Sequence, residues 1–214
     1  AKELGRSERA VNSQIYRLRK EGVKIPLGWY EKEGIVMGHL DIETSNLDAN
    51  AGFMVSWAIK VSGEEDVRCD VITPEEITKG YGDDSRIVSS ITQNLHECDV
   101  ITTYWGTGFD TKFMRSRALV NNIPFPEYGS IVHLDLFYAV RSLLKLHRNS
   151  LQAATEFLGI EGKTHLDLNI WNKGRVGHKP SLDYILEHNI ADAVILEKLF
   201  ERLKPYRKWT RRSL

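Results

Sequence analysis

Apolar residues recur at two spacings along the chain, and the switch between them marks its elements. The run Ile35-Val36-Met37-Gly38-His39-Leu40-Asp41-Ile42-Glu43 predicts a buried strand that ends in two carboxylates. Residues 53–61 predict a second strand, Gly63-Glu64-Glu65-Asp66 a turn, and 67–73 a third strand, which together make an antiparallel meander. Helical spacing follows over 84–96, where Ile87, Val88, Ile91 and Leu95 share one face. Residues 100–104 and 131–134 predict short buried strands separated by a helix over 110–121. Helices then dominate, over 136–146, 150–158 and 181–203, with Pro180 just before the last of them and Pro205 just after it. Strands followed by alternating helix and strand predict an α/β fold whose mixed sheet is flanked by helices.

Ahead of this domain, residues 1–20 predict the end of one helix, a turn at Gly5-Arg6-Ser7, and a second helix that Ser7 can cap. Ala10, Val11, Ile15 and Leu18 fall on one face, leaving Arg9, Asn12, Ser13, Arg17 and Lys20 mostly outside. This short stretch resembles the second half of a helix-turn-helix of the Myb-like and sigma-factor-like kind. The resemblance implies DNA contacts from Arg6, Arg9, Asn12 and Arg17, and the alternative is a purely structural hairpin. Residues 22–34, with Pro26 and Gly28, read as a connecting stretch. The chain is thus expected to divide into a helical segment over 1–25, a linker over 26–34 and a main domain over 35–214.

At 214 residues and 42% hydrophobic, the chain can bury one full core. No apolar run approaches the ~20 residues that span a bilayer, and the first residues are polar, so a cytoplasmic protein without a membrane partner is expected. Cys69 and Cys98 lack metal-ligand spacing and read as reduced thiols. Zero net charge conceals an asymmetry: residues 1–30 carry +4, residues 204–214 carry +5, and the middle carries −9. Basic ends around an acidic centre suit a metal-dependent enzyme acting on a polyanion, and equally suit termini kept soluble by charge.

The acidic centre has its own pattern. On a strand, Asp41 and Glu43 project to one face while Leu40 and Ile42 turn to the other. Paired carboxylates need a cation, and oxygen ligands alone favour Mg²⁺ or Mn²⁺ over zinc. Taken alone, the pair reads more readily as a strand running out into a polar turn, because the pattern is so short. Asp110 follows a buried strand and the glycine-containing turn Trp105-Gly106-Thr107-Gly108-Phe109, at the sheet edge where ligand sites of α/β folds collect. A helix cap is the plainer role for it. His188 and Asp192, four apart in the last helix, lie one turn apart on the same face.

The ordered set Asp41-x-Glu43, Gly106-x-x-Phe109-Asp110 and His188-Asn189-x-x-Asp192 resembles the three motifs of the DEDD (DnaQ-like) 3′–5′ exonucleases. It is most similar to YprB-like exonucleases and to the proofreading domains of family B DNA polymerases. The likeness covers roughly 35–203 and implies a ribonuclease-H-like fold. It further implies a nuclease that holds two Mg²⁺ or Mn²⁺ on Asp41, Glu43, Asp110 and Asp192 and removes nucleoside 5′-monophosphates from the 3′ ends of DNA or RNA. His188 stands where the tyrosine subgroup has Tyr and is expected to act as general base. Trp105 replaces an Asn of the polymerase motif and is expected, with Phe109, Lys163 and His165, to contact substrate. Two other functions stay open: a structure-specific endonuclease on the same fold, and a DNA-binding regulatory module whose nuclease-like domain is inert.

Overall fold

A computed structural model of the chain describes residues 34–79, 82–162, 167–207 and 209. The helix-turn-helix reading of 1–25, with Arg6, Arg9, Asn12 and Arg17, lies outside the described residues, as do Lys163 and His165.

The Ile35 run becomes β1 (Met37–Thr44), the middle strand of the sheet. On one side it pairs antiparallel with β2 (Met54–Val61), which pairs antiparallel with β3 (Val67–Val71). On the other side it runs parallel to β4 (Val100–Thr103), and β4 runs parallel to β5 (Val132–Asp135), giving the order β3-β2-β1-β4-β5. Parallel neighbours need a crossover, and helices supply it. α1 (Pro74–Thr78) and α2 (Ser85–His96) lead from β3 to β4, and α3 (Asp110–Val120) leads from β4 to β5. Among the described residues four more α-helices follow: α4 (Leu136–Leu143), α5 (Leu151–Leu158), α6 (Leu168–Gly174) and α7 (Lys179–Leu203). This is the mixed α/β sheet flanked by helices that the hydrophobic pattern predicts.

The pattern misses α1 and α6, of five and seven residues, because neither is long enough to establish a period. Their caps carry the signal instead. Thr73 and Glu76 form a reciprocal capping box at α1, and the Asp167 side chain accepts from Asn169 N–H at α6. The helix predicted over 136–146 stops at Leu143 because Leu144 is extended.

Alternation along β1 divides the interior. Leu40 and Ile42 join Trp57, Ile59, Ile87, Ile91 and Phe113 in the apolar core. The opposite face of β1 carries His39, Asp41 and Glu43, paired with Lys60, Ala58 and Ser56 of β2. Two small residues beside the two acids leave room for a helix to lie close across that face, and α7 does so.

Candidate active site

Contacts along α7 show that it runs antiparallel to β1. The Phe200 ring lies 5.8 Å from the buried His39 ring. About three turns earlier in α7, Asn189 Nδ2 donates to Asp41 Oδ2 at 3.2 Å. His188 Nε2 stands 3.8 Å from Glu43 Oε1 and also 3.8 Å from Asp192 Oδ2. The helix therefore brings His188, Asn189 and Asp192 to the carboxyl end of the central strand, with the imidazole held between two carboxylates. Its position in the tyrosine register does not turn it away from the acids. Asn189 is fully buried, and its Oδ1 makes no hydrogen bond.

Asp110 reaches the same place from the other side of β1. It is the first residue of α3, yet no side chain caps that helix. Its carboxylate instead lies toward the backbone N–H of Ile42, between Asp41 and Glu43, and that N–H and its own favour the charged form. The plainer role of helix cap is thereby replaced by a link to β1. The residue is 6% exposed. Burial pushes its carboxyl up to about 7 with help from the Asp135 charge, against the pull of the two nearby N–H groups.

The turn that delivers Asp110 is held from β5. Asp135 Oδ1 accepts from Trp105 N–H at 2.9 Å and from Phe137 N–H at 3.1 Å, and its Oδ2 accepts from Thr107 N–H at 3.0 Å. Thr103 Oγ1 accepts from Gly106 N–H at 3.1 Å and lies 2.8 Å from His133 Nε2. A Cβ at Gly106 would come within 2.2 Å of that same oxygen, so only glycine permits this approach. Trp105 has a left-handed backbone (φ 64°) and is 50% exposed, with its indole packed over Gly108. Phe109 is half-buried, packed against the core with the Phe113 ring 5.6 Å away. Trp105 thus presents a ring to solvent beside Asp110, while Phe109 chiefly anchors the turn. The sequence shows Asp135 only as a helix start, which it is. The additional grip on the Asp110 turn depends on strand register and has no local signature.

Acids from three separate segments are therefore linked around the end of β1. Among the described residues, no three His, Cys, Asp or Glu side chains form a group able to hold a metal ion as placed. The donor chemistry fits a hard divalent cation all the same: four carboxylates, a buried amide oxygen without a hydrogen bond, and a buried carboxyl whose charged form is disfavoured where no cation offsets it.

The RNase_H_2 family model, of the RNase_H superfamily, matches residues 39–204. Among solved structures, the chain is similar to the family B DNA polymerase from the hyperthermophilic archaeon Pyrobaculum calidifontis. The TM-score is 0.60 at 18% identity, over 79% of this chain and 25% of the polymerase. That likeness is one of fold, and this chain spans about a quarter of the polymerase's length. No curated protein matches the chain. Among the described residues, no helix is long and apolar enough to cross a membrane.

Proposed function

The chain belongs to the RNase_H superfamily, and from that premise we propose that it is a divalent-metal-dependent 3′–5′ exonuclease acting on DNA or RNA ends. The observation that carries this reading is the linkage of Asp41 and Glu43 on β1, Asp110 on α3, and His188 and Asp192 on α7 around one strand end. Asp41, Glu43, Asp110 and Asp192 would hold Mg²⁺ or Mn²⁺. When bound, such ions polarise a phosphodiester and lower the pKa of an attacking water.

The chain's own groups have separate tasks. Asn189 holds the Asp41 carboxylate in place through its amide N–H. Asp135 fixes the 105–107 turn and hence the start of α3. His188 takes up the proton of the attacking water at Nε2, where the Glu43 and Asp192 carboxylates stabilise the resulting imidazolium. The exposed Trp105 ring offers a stacking face to a base of the incoming strand. The products are nucleoside 5′-monophosphates.

Incubating the protein and Mn²⁺ with a 5′-labelled linear single strand, and separately with a closed single-stranded circle, tests the assignment. Progressive shortening of the linear strand from its 3′ end with intact circles is expected. Cleaved circles would reassign the protein as an endonuclease. Failure of the folded protein to hydrolyse either substrate would leave the DNA-binding regulatory reading.

A further inference from the structure

A cavity of about 720 Å³ opens beyond the carboxyl end of β1, lined by Ser45, Asn50, Phe53, Arg117, Asn172 and Arg175 among others. Its volume lies in the range of small-molecule sites. No Asp or Glu is among its lining residues. Ser45 is two residues past Glu43 and one past the end of β1, so the cavity wall begins within about 7 Å of the acidic cluster, the reach of two residues of chain.

The two arginines in this wall are not equivalent. Arg117 is committed: Nε and Nη2 each donate to the buried Asp84 carboxylate at 2.8 Å, and Nη1 donates to Ala49 O at 3.0 Å. Its charge is neutralised where it sits. Arg175 makes no ion pair among the described residues, and its guanidinium lies 4.7 Å from the centroid of the Trp171 ring. Stacking on an aromatic face holds a guanidinium in position without cancelling its charge. The segment that carries it is fixed to α7: a Cβ at Gly174 would fall 2.4 Å from Ile185 Cδ1, so the end of α6 presses directly on the helix that bears His188 and Asp192. The result is a pre-positioned cation with the amides of Asn50 and Asn172 in the same wall, next to an acidic cluster.

We propose that this cavity is a subsite for the phosphate backbone of the substrate strand, with Arg175 as its phosphate-contacting residue. The subsite rests on the nucleic-acid reading above, and it places the strand beyond the acidic cluster rather than within it. Phosphate contacts of this kind position a strand without reading its sequence.

The test is binding of a fluorescently labelled oligothymidylate, followed by anisotropy in EDTA over a series of salt concentrations. Arg175→Gln should weaken binding about tenfold, the loss of one charge-assisted hydrogen bond. It should also make the dependence of log affinity on log salt shallower by about 0.7, the contribution of one phosphate contact on a single strand. Asn172→Asp, which adds a negative charge to the same wall and leaves Trp171 and Arg175 in place, should weaken binding too and keeps the test available if Arg175→Gln fails to fold. Arg202→Gln, at an exposed position in the last turn of α7, should change neither quantity. Wild-type affinity and salt slope in folded Arg175→Gln or Asn172→Asp would overturn the subsite. Thymidine 5′-monophosphate competing as strongly as the oligonucleotide would overturn it as well, by making the cavity a product site. Binding is read without hydrolysis, so a protein that cleaves nothing yet shows the weaker binding and shallower salt slope in Arg175→Gln upholds the subsite and refutes only the exonuclease.

Discussion

Replacing Asp110 by Asn should stabilise the metal-free protein while abolishing hydrolysis. Burial raises the Asp110 carboxyl from 3.8 to about 7, so the folded state keeps a proton that the unfolded chain releases. An acid shifted in this direction makes the fold less stable as pH rises from about 4 to about 7, and the cost is complete above that window. Over that interval the linkage amounts to on the order of 4 kcal/mol. Asparagine keeps an oxygen for the Ile42 N–H and carries no charge, so it escapes the cost. Urea unfolding of both proteins in EDTA across this pH range measures it. The stability gap between Asp110→Asn and wild type should be near zero at the acid end, grow through the window, and level off above neutrality. Adding Mn²⁺ at the alkaline end should close the gap by stabilising wild type alone. Taking the difference between two proteins cancels every titration they share. A gap that does not change with pH, or that Mn²⁺ leaves untouched, would refute the placement of Asp110 in a cation-seeking cluster.

Burial, with Lys60 nearby, holds His39 down from 6.5 to about 3, so the stability it lends is full above 6.5 and lost as pH falls toward 3. His39→Asn should therefore lose less stability than wild type between neutral and acid pH, as read from unfolding midpoints at the two ends. Asp135→Ala removes the acceptor for three backbone N–H groups and should lower stability by about 1–3 kcal/mol. It should also slow hydrolysis, although Asp135 is not expected to touch metal or substrate, and an unchanged rate at unchanged metal affinity would deny its hold on the Asp110 turn. His188→Ala should reduce the single-turnover rate by about 10²- to 10⁴-fold with strand affinity retained, since proton transfer and not binding is removed.

The parts of this protein legible in its sequence are those governed by local periodicity. Leu40 and Ile42 against Asp41 and Glu43 place β1 and its two faces, and the run from Ile185 to Leu199 places the helix that covers them. Order along the chain, combined with the resemblance to known nucleases, also indicates that Asp110 and Asp192 return to β1. Spatial pairings are legible only in the structure. Asn189 stands in the third motif with no role assigned from sequence, yet it is the residue bonded to Asp41. Asp135 reads as a helix cap, and its second role appears only when β5 lies beside β4. Arg175 reads as one cation in a polar stretch. Its lack of an ion pair among the described residues and its place on a cavity wall depend on α6, a helix too short to announce itself by pattern.

Binding of Mn²⁺ tests the account most directly. Isothermal titration of wild type at pH 8 should show two ions bound per chain, and Asp41→Asn and Asp192→Asn should each lose at least one of them while remaining folded. Absence of Mn²⁺ binding to the wild type, or binding that both substitutions leave unchanged, would contradict a metal-dependent site at the end of β1.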